Sequence, residues 1–282
     1  EKFAIALSPD DIERQFEGGK ISLPMGMENG SPIEGDLNNI QYFFDEGIRY
    51  ITLAHSLSNH ISDSSYDDNK FHGGLSDFGR KVVLKMNQVG MIIDISHVSD
   101  AAFWEVIDIS TAPVIASHSS ARHFTPGFER NMSDEMIQKL AENEGVIMIN
   151  YGSAFLTSDA NRYSSLQDQA WEEFKNQKEL DGPDKFGSAH GGLRDQFDTD
   201  FARSHPYPFA NLDQTLDHFD HVVKLTGSVD YVGIGSDYDG VGDTLPTGLK
   251  DVSSYPNLVE GLLIRGYSEE DIRKILGGNL LR

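Results

Sequence analysis

Five short apolar segments of this chain each end at one side chain that can bind a metal ion or carry a proton. Glu28 follows ISLPMGM, His55 follows YITLA, His97 follows MIIDIS, His118 follows PVIAS and Asp237 follows YVGIGS. Segments this short and this apolar are typical of parallel strands that are covered on both faces. In a barrel the carboxyl ends of such strands meet at one rim, where active sites form. We therefore expect these five side chains to converge.

Helical segments alternate with the strands. Strands are predicted at Ile21–Met27, Tyr50–Ala54, Met91–Ser96, Pro113–Ser117, Val146–Asn150 and Tyr231–Ser236. Capping residues mark helix starts at Ser8, Ser76, Ser133 and Ser268 and a helix end at Gly90. The repeated order of strand, helix and strand predicts an α/β fold with a parallel sheet.

Two polar segments interrupt this alternation. Residues 56–75 are rich in Gly, Asp and Ser, which predicts a long loop, and residues 152–210 have little strand character and one predicted helix near Gln167–Leu180. Because α/β barrels reach about 250 residues as one unit, we expect a single domain over residues 1–282. We interpret residues 152–210 as an insertion in that domain that forms a lid or an interface.

Composition excludes several classes of function. The net charge of −22 argues against nucleic acid and against an anionic membrane surface as partners. The absence of cysteine excludes disulfides and thiolate chemistry. No apolar run is long enough for a transmembrane segment, and no secretion signal is visible, so both a cytoplasmic and a periplasmic or extracellular location fit. The motifs of serine hydrolases, nucleotide hydrolases and Rossmann dehydrogenases are also missing.

The spacing of His97 and His118 favours a metal site. The 20 residues between them suffice for one helix and one return strand, which would place both imidazoles on neighbouring strands. Together with a carboxylate such as Glu28 they form a typical hydrolytic zinc set. Each residue alone also has a structural interpretation, since Asp237 lies in SDYDG, a common turn sequence. His218 and His221 are three residues apart, and we predict a surface role for that helix face.

The same segments resemble a known family. RYITLAHS, GMIIDISHVSD, APVIASHSSAR, ERNM, VGIGSDYDGV and GNLLR are similar to the renal (membrane) dipeptidase family of zinc metallopeptidases. The resemblance extends over nearly the whole chain in order and is weakest at residues 152–210. It implies a (β/α)8 TIM-type barrel of the metal-dependent hydrolase kind. It also implies two zinc ions in the complete protein, with Glu28 as the bridging ligand and with His97 and His118 completing one site.

The resemblance further implies roles in catalysis and substrate binding. His55 would contact the substrate and polarise its carbonyl, Arg130 in ERNM would hold the substrate carboxylate, and Asp237 would act as the acid/base. The implied reaction is hydrolysis of a dipeptide, including dipeptides with a C-terminal D-residue, by a metal-activated water. A homodimer is also implied.

One motif of the family is missing from this sequence. The family carries an HxD motif on its first strand, and no HxD precedes Glu28. Six strands are predicted where eight are expected. We therefore expect the chain to lack the first strand or strands of the barrel and to be inactive without those ligands. Two alternatives remain open: a related barrel hydrolase that acts on another amide or a lactone, and a catalytically degenerate binding protein that keeps the fold.

Overall fold

Seven parallel strands form one sheet in the computed structural model, which describes residues 2–178, 180 and 191–282. The strands are β1 Phe3–Ala6, β2 Ile21–Glu28, β3 Ile48–Thr52, β4 Ile92–Asp94, β5 Ile115–Ser119, β6 Val146–Ile149 and β7 Val232–Ile234. They lie in chain order, and each pairs in parallel with the next. Within the described residues no pairing joins β1 to β7, so the sheet has two open edges. The predicted α/β fold with a parallel sheet is confirmed.

All six predicted strands are present, and their ends shift by no more than two residues. The predicted number of six was too low, because β1 was missed. β1 has only four residues, FAIA, which is too short for a periodic pattern to be recognised. It pairs with β2 from Phe3 opposite Ile21 to Ala6 opposite Pro24.

Helices connect the strands and pack against the sheet. They are α1 Pro9–Glu17, α2 Asn38–Asp45, α3 Asp77–Val89, α4 Asp100–Ile109, α5 Asp134–Glu142, α6 Ser153–Leu156, α7 Ser158–Gln177, α8 Gly191–Ser204, α9 Leu212–Thr226, α10 Tyr255–Ile264, α11 Glu269–Arg273 and α12 Asn279–Leu281. Each of the four predicted capping serines accepts a backbone N–H in the first turn of its helix, as expected. In the described part of the chain, no helix combines the length and the apolar character needed to cross a bilayer.

The larger of two apolar clusters joins the helices to the strands. Helices α3, α4 and α5 each bury one face in it. The buried residues are Val82, Val83 and Met86 in α3, Phe103 and Val106 in α4, and Ile137 and Leu140 in α5. This one-sided burial follows from the spacing of apolar residues by three and four along each helix. This packing does not fully cover β1 and β2, where the side chains of Phe3, Ile5, Ile21 and Leu23 are 43–54% exposed.

Both irregular segments pack against this framework. Residues 56–75 form the predicted loop, and residues 61–64 at its centre are fully buried. The buried Asp63 carboxylate there accepts the N–H groups of His72 and Gly74. Residues 152–210 contain helices α6, α7 and α8, where one helix was predicted. The predicted helix near Gln167–Leu180 corresponds to α7, while residues 179 and 181–190 lie outside the described part.

The predicted surface role of the helix face with His218 and His221 is wrong for His218. This residue of α9 is 0% exposed. Its Nδ1 accepts the backbone N–H of Ala121 at 3.1 Å, and its Nε2 lies 3.1 Å from the carbonyl oxygen of Leu156. Burial lowers the pKa of His218 to about 3, so the ring is neutral and serves as a structural connector. His221 is only partly exposed and pairs with Asp134.

Gly79→Ala tests the packing of the 56–75 loop on α3. A Cβ at Gly79 would lie 2.1 Å from the carbonyl oxygen of Ile61, so the loop or the helix must move. We expect the free energy of unfolding in urea to fall by about 1–3 kcal/mol. The control is Gly192→Ala in α8, where no atom lies within 4 Å of the added Cβ, and it should keep or slightly gain stability. Equal stability of both variants would show that the contact is unimportant.

Candidate metal centre and substrate cleft

The side chains predicted from the strand ends meet in one cleft. Glu28 is the last residue of β2 and His118 lies within β5, whereas His55, His97 and Asp237 each follow the last residue of their strand by three positions. All five line a cleft of about 610 Å³, together with Arg130. Parallel strands of similar length place these positions at one rim, so the arrangement follows directly from the topology.

Four ligand-type atoms converge around the Glu28 carboxylate. Its Oε1 lies 3.0 Å from His118 Nε2, 3.1 Å from His97 Nε2 and 3.5 Å from His55 Nε2. The two Nε2 atoms of His97 and His118 are 2.9 Å apart. The structure therefore brings the predicted metal set together. It also places His55, predicted as a substrate contact, beside Glu28 and His97, so that these three residues form a second possible ligand set.

Charge in this cluster suits cation binding. Hydrogen bonds from His118 and His97 hold the pKa of the Glu28 carboxyl well below its usual range, so the group is ionised. Burial lowers the pKa of His97 to about 3, and this ring is therefore neutral near pH 7. A carboxylate and a neutral imidazole are the forms of these groups that bind zinc.

A buried carboxylate orients His118. Asp94, the last residue of β4, is 0% exposed and accepts hydrogen bonds from Thr52 Oγ1 and Ser117 Oγ, both at 2.5 Å. Because the Ser117 hydroxyl donates to Asp94, its oxygen can accept the Nδ1–H of His118 at 2.7 Å. This directs the His118 Nε2 at Glu28. Sequence reasoning missed Asp94 and Ser117, although an Asp within the apolar run MIIDIS is a signal of a paired, buried carboxylate.

Asp237 lies on a tight turn at the edge of the cleft. Its backbone carbonyl accepts the N–H of Gly240 at 3.0 Å, so SDYDG forms a turn as well as presenting a side chain. A Cβ at Gly240 would come 2.0 Å from Asp237 Oδ1, which explains the glycine there. Asn150 Nδ2, at the end of β6, donates to Asp237 Oδ2 at 3.0 Å. The Asp237 carboxylate is thus held by its neighbour.

Arg130 places a buried cation against the cleft. The residue is 3% exposed, its Nη1 donates to Ser119 Oγ at 2.7 Å, and its Nη2 donates to the His118 carbonyl at 2.8 Å. Its Nε has no hydrogen-bond partner, and no carboxylate of the described residues forms an ion pair with it. Burial lowers the pKa of Arg130, yet a guanidinium remains charged at neutral pH. A ligand with a negative group would supply the missing counter-charge.

The segment at 152–210 forms one wall of the cleft. Ala154 and Phe155 of α6, Ser164 of α7 and Tyr207 all line it. The Phe155 ring also lies 5.2 Å from the Arg130 guanidinium carbon. This position is compatible with the predicted role of the segment as a lid, which stays a prediction.

Comparison with known sequences agrees along the whole chain. The pattern of the membrane dipeptidase family, peptidase family M19, matches residues 1–282. The chain is 34% identical to Dipeptidase tcpJ of Claviceps purpurea over 282 residues, which are 100% of this chain and 55% of that protein. It is 33% identical to Dipeptidase 3 of Mus musculus over 270 residues, 93% of this chain and 44% of that protein. The chain thus spans about half the length of these curated relatives.

Solved structures show the same fold. The probable dipeptidase PvdM from Pseudomonas aeruginosa has a TM-score of 0.83 and 30% identity, covering 100% of this chain and 73% of that one. A metallopeptidase from Rhodobacter sphaeroides, liganded with a phosphinate mimic of the dipeptide L-Ala-D-Ala, has a TM-score of 0.76 and 25% identity, covering 99% and 67%. The predicted barrel-type fold is confirmed by this similarity. The chain belongs to the membrane dipeptidase family, peptidase family M19.

Proposed function

We propose that this chain carries the active site of a zinc-dependent dipeptidase. One observation carries this conclusion: the same cleft holds a cluster of metal-type ligands around Glu28 and the buried guanidinium of Arg130, which forms no ion pair with any described carboxylate. A dipeptide presents a polarisable carbonyl and, close to it, a free carboxylate. The two halves of the cleft match these two groups, and membership of the dipeptidase family supports the match.

Glu28, His97 and His118 are the residues we propose as metal ligands. The donor set fits zinc, because a carboxylate oxygen and two imidazole nitrogens leave an open coordination position. A bound divalent ion would lower the pKa of its water ligand to about 7 and would polarise the substrate carbonyl. The family resemblance supports a second zinc ion in the complete protein, with Glu28 as the shared ligand.

The remaining side chains bind and orient the substrate and move a proton. Arg130 would bind the substrate carboxylate, since each terminal nitrogen uses only one of its two N–H groups for the contacts with Ser119 and His118, and Nε has no hydrogen-bond partner. His55 would donate to the carbonyl oxygen as negative charge develops on it. Asp237, held by Asn150, would take a proton from the attacking water and pass it to the leaving amine.

The cleft also suggests the substrate class. With Arg130 fixed by the chain, a carboxylate bound there sets the distance to the Glu28 cluster and favours substrates of two residues. The Rhodobacter sphaeroides metallopeptidase, solved with a mimic of L-Ala-D-Ala, supports acceptance of a C-terminal D-residue here. A homodimer also stays a prediction from the family resemblance.

Replacing Glu28 should remove the metal. Glu28→Gln keeps the shape of the side chain but removes the negative charge beside His97 and His118, so zinc affinity should fall by about 10-fold or more. Zinc content after dialysis of the full-length protein measures this. Glu17→Gln, at the exposed end of α1, is the matched control and should bind zinc as the wild type does. Unchanged zinc content in Glu28→Gln would contradict the assignment.

Asp237→Asn separates proton transfer from metal binding. The amide cannot accept the proton, so dipeptide turnover by the full-length protein should fall by about 100-fold or more while zinc content stays the same. Asp239→Asn, an exposed carboxylate two residues away, is the control and should retain activity. If Asp237→Asn keeps wild-type kcat, the residue is not the acid/base. If the wild type binds zinc but turns over no dipeptide, the chain is a degenerate binding protein.

Arg130→Gln tests recognition of the substrate carboxylate. For a dipeptide, kcat/KM should fall by about 10- to 100-fold, because charge-assisted hydrogen bonds to the carboxylate are lost. For the same dipeptide with an amidated C-terminus the loss should be much smaller, so the comparison is independent of partial unfolding. Equal losses for both substrates, or no loss, would favour a hydrolase of another amide or of a lactone.

A further inference from the structure

A second group of metal-type side chains lies away from the cleft. It consists of His123 in the 3₁₀ turn Arg122–Phe124, Asp134 at the start of α5 and His221 in α9, and their ligand-type atoms all lie within 4.8 Å of one another. None of the three lines the substrate cleft. We call this group the His123 cluster.

The ligand-type atoms of the His123 cluster already lie close together. His221 Nε2 lies 2.8 Å from Asp134 Oδ1. The His123 and His221 rings stack with their centroids 4.4 Å apart and their planes at 23°. His221 is largely shielded, at 12% side-chain exposure, whereas His123 faces the solvent. Such a group is ordered on one side and open for a water ligand on the other.

We propose that the His123 cluster binds one divalent transition-metal ion, with zinc as the representative. Two imidazole nitrogens and one carboxylate oxygen select zinc, copper, nickel or cobalt over magnesium and calcium, which prefer oxygen ligands alone. Within the described part of the chain, no lysine or arginine forms an ion pair with Asp134. The net charge of −22 further concentrates cations near the surface.

A bound ion would join three separate elements. His123 lies between His118 and Arg130 in the chain, while Asp134 and His221 belong to helices that already pack together. Coordination would fix the segment that carries His118 and Arg130, two residues of the cleft, to α5 and α9. This is a structural site, and it is independent of whether the cleft hydrolyses dipeptides.

Zinc counting in the full-length protein tests the site. Wild type, His123→Ala and Asp134→Asn are dialysed against the same zinc concentration, and bound zinc per chain is measured. Each variant should bind one ion fewer than the wild type, and the loss should add to that of Glu28→Gln. His205→Ala is the matched control, because His205 is also an exposed imidazole stacked on an aromatic ring, Phe201, and should leave the count unchanged.

Crystals soaked in zinc give a second readout that needs no variant. An anomalous peak between His123, Asp134 and His221 is expected at the zinc edge, separate from any peak in the cleft. Equal zinc counts in the wild type and both variants would overturn the site. So would a soaked crystal without a peak there, and the cluster would then be a His–Asp ion pair with a stacked imidazole.

Discussion

The buried Asp94 carboxylate connects the strands that carry the histidines. It receives the Thr52 hydroxyl from the end of β3 and, from β5, both the Ser117 hydroxyl and the Ser117 N–H, the latter at 2.9 Å. The Ser96 N–H adds a fourth bond at 3.0 Å. An ionised carboxylate without such partners would cost several kcal/mol in a buried position. Donors from β3, from β5 and from the residues after β4 thus bind the same carboxylate. This one group therefore helps to set the register of these strands and the orientation of His118.

Backbone strain accompanies this arrangement. His97 and Asp237 have φ values of 68° and 55°, a left-handed conformation that costs roughly 1–2 kcal/mol for residues with a Cβ. Each is held there by backbone hydrogen bonds, from the Ser65 N–H to the His97 carbonyl and from the Gly240 N–H to the Asp237 carbonyl. The sharp turn directs each side chain into the cleft three residues after its strand ends. The left-handed conformation of His97 and Asp237 is thus unfavourable for folding, but it orients both side chains towards the cleft.

The parts of the site that follow from strand topology were predictable from the sequence. Glu28, His97 and His118 were found because a polar group after an apolar strand has one available rim in a parallel sheet. The role of Asp94 was not found, because its partners lie on other strands and local periodicity contains no pairing information. For His218 the three-residue spacing showed a shared helix face with His221, but which helix face is buried depends on the neighbouring elements. β1 was too short for its pattern to be recognised.

The segment from His118 to Asp134 links the two clusters of metal-type ligands. It leaves β5 at the Glu28 cluster, passes His123 and returns to the cleft at Arg130 before α5 begins. The path of this segment fixes the position of Arg130, because the guanidinium donates hydrogen bonds to Ser119 Oγ and to the His118 carbonyl. A shift of the segment would therefore move the buried cation and the imidazole together. The distance between the ligands around Glu28 and the Arg130 guanidinium therefore depends on the conformation of this segment as well as on the sheet.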